Sequence, residues 1–253
     1  MEAPPATHDP PASRAPIWRR ALDPFVAFGW RAGALYALDR VLRRLSPRVG
    51  LQVYELVEQP VTERPLLAGK AADRTTFAEI RRGDPAIALM PARDDIKEER
   101  FAQGARCLGA YRNGALVGYI WFCFGRYRED EVRCDYELAE PLRAVFDFDL
   151  YIMPEHRMGT AFVAVWHGAN RYLSERGIRH TFSRVTRFNV ASRRAHARLG
   201  AACVARAVFV QAWRVEMMMA TLPPYVAVTW SPKQRVRLVL RSRRTTAPEH
   251  EVR

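Results

Sequence analysis

The second half of the chain contains short apolar runs that alternate with polar turns. The clearest of these turns is Asn113-Gly114, which separates two strand-like runs at 107–112 and 115–124. Asparagine and glycine both tolerate the positive φ that a type I′ turn requires, so this pair predicts a β-hairpin. A charged loop is expected over 125–140, followed by a strand over 144–152. An ideal period of two in that strand places Phe146, Phe148, Leu150 and Ile152 on one face and Asp147, Asp149 and Tyr151 on the other.

The hydrophobic pattern after residue 152 changes between helical and strand periods. Apolar residues at steps of three and four predict a helix over 159–176, which Gly177 ends. The remaining segments predict a strand over 180–188, a short helix over 189–199, and strands over 204–213 and 215–221. Strands interleaved with helices in this order predict a mixed fold of the α/β (α+β) class.

The N-terminal part has a different composition. Residues 1–16 are rich in proline and alanine and lack an apolar centre, which predicts a disordered tail and no signal peptide. Leucines at helical spacing predict a helical extension over 17–50, and alternation predicts a strand over 51–57. The helix either packs on its own domain or lies on an anionic membrane. Charged residues interrupt its apolar run, which favours packing. The main domain is expected over 51–222, with a basic C-terminal tail over 223–253.

The net charge of +13 favours anionic partners. Three of the 40 basic residues are lysine, so 37 are arginine. No zinc-finger or RNP-type motif is present in the sequence, so no specific nucleic-acid partner is expected. The four cysteines form no CxxC pair, which predicts reduced, mostly buried thiols and no metal site.

A loop at His156–Ala161 joins the 144–152 strand to the following helix. The first turn of a helix has backbone N–H groups without internal partners, and these bind phosphate well. Gly159 and Ala161 are small enough to let a phosphate approach the backbone, and Arg157 adds a positive charge. The loop therefore predicts a phosphate-binding site.

A second motif follows about thirty residues later, where Asn189 precedes a short helix that ends in Leu199-Gly200. Together the two motifs resemble those of GNAT acyltransferases, whose loop reads Q/R-x-x-G-x-G/A. The resemblance covers roughly residues 105–220, and it departs from the family pattern at His156, where glutamine or arginine is usual. It implies a GNAT-like, mostly antiparallel central sheet flanked by helices.

The resemblance also implies a reaction in which an acyl group passes directly from acetyl-CoA, or another acyl-CoA, to a primary amine. His196 occupies the position of a tyrosine that protonates the departing thiolate in the family, and it otherwise packs or binds cofactor. Asp147 or Asp149 is a candidate base, and each is otherwise a solvated or paired carboxylate. Asn189 is also a candidate helix cap. The cofactor-binding residues implied by the resemblance are Met153, His156, Arg157, Met158, Gly159, Thr160, Ala161, Asn189 and Ser192.

Three functional hypotheses remain open from the sequence. The first is an N-acyltransferase acting on a small-molecule or peptide amine. The second is a catalytically silent GNAT-like module that binds a membrane surface or nucleic acid. The third is an acyltransferase that accepts chains longer than acetyl. The expected location is the cytoplasm, with weak peripheral contact at the inner face of the membrane as an alternative.

Overall fold

The computed structural model of the chain describes residues 30–46, 48–69, 72 and 74–243. Within these residues the helices are α1 (Trp30–Leu45), α2 (Asp94–Ala102), α3 (Ala161–Ser174) and α4 (Val190–Arg198). Short 3-10 turns lie at Pro85–Leu89 and Pro154–His156. The strands are β1 (Val49–Pro60), β2 (Thr75–Ile80), β3 (Arg106–Arg112), β4 (Ala115–Cys123), β5 (Arg126–Arg128), β6 (Cys134–Leu138), β7 (Ala144–Ile152), β8 (His180–Thr186), β9 (Ala202–Ala212), β10 (Val215–Ala220), β11 (Val226–Thr229) and β12 (Val236–Leu240).

The strands form one large and one small sheet. The large sheet has nine strands in the order β11-β10-β9-β1-β8-β7-β4-β3-β2, and the small sheet has the order β12-β6-β5. In the large sheet all neighbours are antiparallel except β7 and β8, which are parallel. The predicted mixed and mostly antiparallel sheet is therefore confirmed.

The predicted hairpin is also confirmed. Asn113 and Gly114 have φ values of 50° and 80°, and they connect β3 to β4. The strand predicted over 144–152 is β7, and the predicted helix of 159–176 is α3, shorter by two residues at each end.

The N-terminal strand β1 lies near the middle of the large sheet, between β8 and β9. The preceding helix α1 packs against this strand, because Asp39 Oδ1 accepts a hydrogen bond of 2.9 Å from the Leu51 N–H. The Tyr36 ring also meets the Phe188 ring edge-on at 5.2 Å. These contacts support the packing interpretation for residues 30–45. The leucine-bearing face of α1 is only partly covered, since Leu38 is 48% exposed. The predicted tail at 1–16 and the helix predicted over 17–29 lie outside the described residues.

The core has two parts, one on each side of the large sheet. One cluster lies beneath α3 and includes Phe122, Val145 and Trp166. The other lies between the two sheets and includes Trp121, Phe146 and Leu238. As predicted, the cysteines are mostly buried, since three are buried and Cys203 is half-buried.

Two predictions about loops and tails are corrected. The segment 125–140, predicted as a charged loop, contains β5 and β6, and the segment 223–253, predicted as a basic tail, contains β11 and β12. Strand β12 pairs in parallel with β6, and its Val236, Leu238 and Leu240 are buried. These three residues alternate with Arg237 and Val239, so the strand signal was present but was masked by nearby prolines and arginines. Residues 244–253 lie outside the described part. No helix among the described residues is long and apolar enough to cross a membrane.

Candidate functional site

A gap opens in the large sheet where β7 separates from β8. These parallel strands pair at three positions only. The first pair is Ala144 with His180, and the last is Phe146 with Phe182. Beyond this last pair, the facing edges of residues 147–152 and 183–186 have no ladder pairing between them. Unpaired backbone groups along such an edge can bind an extended ligand as an added strand would.

A bulge in β7 determines which side chains face each side of this gap. The pairing with β4 shifts between Trp121 opposite Phe148 and Tyr119 opposite Tyr151, and Asp149 has a φ of 47°. A bulge adds one residue to a strand and so interrupts its alternation. As a result Phe146 and Phe148 face the small sheet, whereas Leu150 and Ile152 pack with the cluster beneath α3.

This arrangement corrects the predicted faces of β7. Phe146, Phe148, Leu150 and Ile152 do not share a face. The two aspartates also separate. Asp147 pairs with Phe122, which packs with the cluster beneath α3. Asp149 meets Arg100, whose guanidinium lies over the Phe148 ring on the side of the small sheet.

Asp147 is the first residue of β7 beyond the last pair with β8. It is 2% exposed, and its Oδ1 has no hydrogen-bond partner within the described part of the chain. Burial raises the pKa of Asp147 to about 7, while the hydroxyls of Thr181 and Ser183 act in the opposite direction. A carboxyl with this pKa exchanges a proton near neutral pH, as a general base requires.

Asp149 is instead held in a network of charges. Arg100 binds both Asp149 and Asp130, the latter at 2.7 Å. The Tyr127 hydroxyl also donates a hydrogen bond of 2.9 Å to Asp130. Asp149 therefore already has a cationic partner, and a substrate amine would have to compete with Arg100 for its carboxylate. The geometry therefore favours Asp147 over Asp149 as the base, and both roles stay predictions.

The loop between β7 and α3 starts as a continuation of the sheet and ends at an open helix start. The Met153 N–H donates to Val117 O at 3.1 Å, and the Gly159 N–H donates to His156 O at 3.3 Å. Arg157, Met158, Gly159 and Thr160 are exposed. A Cβ built on Gly159 would meet no atom closer than His156 O at 3.7 Å, so the fold itself leaves room for a side chain there. The glycine thus leaves open the space in which a ligand would approach the backbone.

One arginine within this loop and one beside it bring positive charge to the site. Arg157 Nε donates to Ile152 O at 3.2 Å, and its guanidinium lies 5.3 Å from the Tyr151 ring centroid. Arg112 Nη2 donates to Thr160 Oγ1 at 2.7 Å. The sequence reasoning missed Arg112, because its place beside the loop depends on how the hairpin packs against α3. The available signal was a basic residue at the end of a strand, directly before the Asn-Gly turn.

The second predicted motif lies at the two ends of α4, with Asn189 at its N-cap and His196 in its last turn. Asn189 Oδ1 accepts a hydrogen bond of 3.0 Å from the Ser192 N–H, which confirms Asn189 as the helix cap. His196 is 7% exposed and packs edge-on against Trp166, with ring centroids 5.8 Å apart. Its Nδ1 lies 3.1 Å from Gln59 Oε1.

The surroundings of His196 bear on its proposed role as an acid. Burial lowers the pKa of this histidine to about 4. The ring is therefore neutral at pH 7 and does not hold the extra proton that an imidazolium acid would donate. The geometry favours the packing alternative, and the acid role stays a prediction.

The family of the protein follows from these features together with its sequence. The model of the acetyltransferase (GNAT) family matches residues 75–201, which is half of the chain. The chain belongs to the GNAT family. The match includes the gap between β7 and β8, the loop before α3, and α4 with Asn189 and His196. Membership supports an acyltransferase-like function in general.

Three solved structures are similar to this chain at low sequence identity. A conserved protein of unknown function from Staphylococcus epidermidis is 11% identical with a TM-score of 0.45, over 70% of this chain and 67% of that one. A tandem GNAT protein from the clavulanic acid biosynthesis pathway is 15% identical with a TM-score of 0.44, over 64% of this chain and 53% of that one. A ribosomal-protein-alanine N-acetyltransferase from Brucella melitensis is 21% identical with a TM-score of 0.36, over 49% of this chain and 89% of that one. No curated protein matches the chain in sequence.

The residues at the loop fit the acyl-CoA that GNAT enzymes generally use. The start of α3 offers backbone N–H groups to a pyrophosphate, and Gly159 leaves that approach unobstructed. Arg157 within the loop and Arg112 beside it supply positive charge. No group of side chains with metal-ligand composition occurs among the residues that the structure describes.

Proposed function

We propose that the protein is an N-acyltransferase that moves an acetyl or other acyl group from acyl-CoA to a primary amine. The observation that carries this proposal is the continuity of β7 with the loop. The strand leaves β8 at Asp147, presents an open backbone edge, and leads directly to the first turn of α3, whose N–H groups have no partner within the helix. A ligand with an extended arm and a pyrophosphate matches both parts of this surface.

The cofactor contacts divide between the two sides of the gap. We assign the pyrophosphate to the loop residues His156, Arg157, Met158, Gly159, Thr160 and Ala161, with Arg112 as an additional contact. The extended arm would lie along the edge of β7 near Met153. Asn189 and Ser192, at the start of α4, would contact it from the other side, although the Asn189 oxygen already caps the helix.

The chemistry needs a base, an oxyanion donor and a proton source. Asp147 can take the amine proton near neutral pH, because its pKa is about 7 and it lies at the apex of the gap. Backbone N–H groups on the open edge of β7 can stabilise the oxyanion that forms as the amine attacks the thioester carbonyl. The thiolate then takes a proton from His196 or from a neighbouring solvent molecule. The neutral state of His196 favours solvent.

Calorimetric titration with acetyl-CoA tests the cofactor assignment. Gly159→Asp places a carboxylate where the pyrophosphate would lie, and we expect it to abolish binding while thermal unfolding stays normal. Leu142→Asp is the matched control, since Leu142 is 86% exposed in the turn before β7 and the variant adds the same charge. Equal affinity of Gly159→Asp and the unaltered protein would show that the loop does not bind the cofactor. Binding without thiol release across amino sugars, amino acids and peptide amines would instead support a catalytically silent module.

A further inference from the structure

The three outer strands β9, β10 and β11 have an unusual distribution of charge. The segment 202–230, which contains them, has only three charged residues, Arg206, Arg214 and Glu216, in a chain that is 26% charged. Glu216 is 3% exposed, whereas Arg206 and Arg214 are exposed. The accessible charge of this segment is therefore entirely positive.

One face of these strands is apolar and open. The register places Met217 between Val210 and Val228, and it places Met219 opposite Val226. Exposure is high towards the edge of the sheet, at 61% for Val226, 41% for Val228 and 41% for Met219. Alternate residues such as Phe209, Met218 and Ala227 point the other way, into the core. We call the open side the outer apolar face, and it comprises Val210, Met217, Met219, Val226 and Val228.

Aromatic residues and arginines lie at one end of this face. Trp213 is 69% exposed in the β9–β10 turn, and Trp230 is 64% exposed directly after β11. Because Glu216 pairs with Thr229, Trp230 is at the same end of the strands as that turn. A cleft of about 250 Å³ beside Trp213 is lined by Arg48 and Arg133. Tryptophan beside arginine is the combination found where proteins meet the headgroup layer of a membrane.

We infer that the outer apolar face docks on a bilayer containing anionic phospholipids. Exposed apolar patches of this kind mark interaction surfaces. Arg206 shares the buried carboxylate of Glu55 with Arg187 and Arg193, so this cluster keeps a net positive charge. An anionic bilayer would bury the valines and methionines and would compensate the positive charge of Arg206 and Arg214. Docking of a second copy through the same face would place two positively charged surfaces together, with no accessible acid from 202–230 to pair with the arginines. Charge complementarity therefore favours lipid over self-association. The inference does not depend on acyl transfer.

Vesicle sedimentation with the full chain provides the test. The probe is vesicles of phosphatidylglycerol and phosphatidylcholine in equal amounts, with pure phosphatidylcholine as the comparison. We expect binding to the anionic vesicles, weakening of that binding by salt, and a blue shift of tryptophan emission as Trp213 and Trp230 leave water. The double variant Val226→Ser/Val228→Ser should weaken binding about tenfold through lost apolar burial. Arg206→Gln and Arg214→Gln should each weaken it about fivefold.

Matched controls separate docking from nonspecific effects. Leu142→Ser removes an apolar side chain that is 86% exposed elsewhere, and Arg128→Gln removes an exposed arginine from β5. Both should bind as the unaltered protein does. If the double valine variant fails to fold, the two arginine variants still decide the matter.

Several results would overturn the inference. These are absence of binding, equal binding to neutral vesicles, and equal losses in the control variants. A dimer seen by light scattering that disappears in the double valine variant would show that a second copy covers this face. A lowered melting temperature of that variant without any vesicle binding would show that another part of the chain covers it.

Discussion

Replacing Asp147 with asparagine should stabilise the protein at neutral pH and impair catalysis. The change keeps the size of the side chain and removes its ability to titrate. An unfolded aspartate ionises near its ordinary pKa of 3.8, whereas Asp147 in the fold holds its proton until about pH 7. Between these values folding takes up a proton, so the free energy of unfolding of the unaltered protein falls as the pH rises.

The size of the effect follows from the difference between the two pKa values. Each pH unit between 3.8 and about 7 is worth about 1.4 kcal/mol, so the stability lost across this range reaches at most about 4 kcal/mol. The Asp147→Asn variant does not lose this stability, because the asparagine side chain does not titrate. The advantage of Asp147→Asn should therefore be near zero at about pH 4 and should grow to about 2–4 kcal/mol at about pH 8.

Urea unfolding followed by tryptophan fluorescence at several pH values measures this difference. Asp149→Asn is the matched control, since it removes a carboxylate that is paired with Arg100 and should destabilise the protein. In an assay of thiol release, loss of a general base should lower the rate of Asp147→Asn by about 10²–10⁴. If the stability advantage of Asp147→Asn does not change with pH, Asp147 is ionised in the fold and the reasoning is wrong. Full activity of the variant would refute the assignment as base.

Two further variants test the surroundings of the site. Arg112→Gln should weaken acetyl-CoA binding roughly tenfold in calorimetry, because a charged donor beside the loop is lost. An unchanged affinity would show that Arg112 only supports Thr160. His196→Ala should lower the free energy of unfolding by about 2–4 kcal/mol, since it empties a buried site beside Trp166 and leaves Gln59 without its partner. The pH profile of thiol release by His196→Ala between about pH 6 and about pH 9 should keep the shape seen for the unaltered protein. Loss of one limb of that profile would instead show that His196 acts as the acid.

Local signals were sufficient for the elements that build the candidate site. The Asn113-Gly114 turn, the alternation of β7 and the helical spacing in α3 each depend on residues close in sequence, and the structure contains all three elements. The Asn189 cap could likewise be predicted, because an asparagine directly before a helical segment commonly caps it. The place of β1 between β8 and β9 was not readable, because strand pairing between distant segments leaves no local pattern. Strand β12 was missed for a different reason, since its local alternation was masked by nearby prolines and arginines.

The bulge at Asp149 is the feature that most changes the chemistry expected from the sequence. A strict period of two gives Asp147 and Asp149 the same face and leaves no ground for choosing between them. The extra residue turns Asp149 towards Arg100, where a cation compensates its charge. Asp147 stays on the side of α3, buried, with no cation among the causes that shift its pKa. Burying a carboxylate without a compensating charge favours its protonated form. One backbone irregularity thus separates two neighbouring aspartates into a structural anion and a candidate base, and the opposite stability changes expected for their asparagine variants follow from that separation.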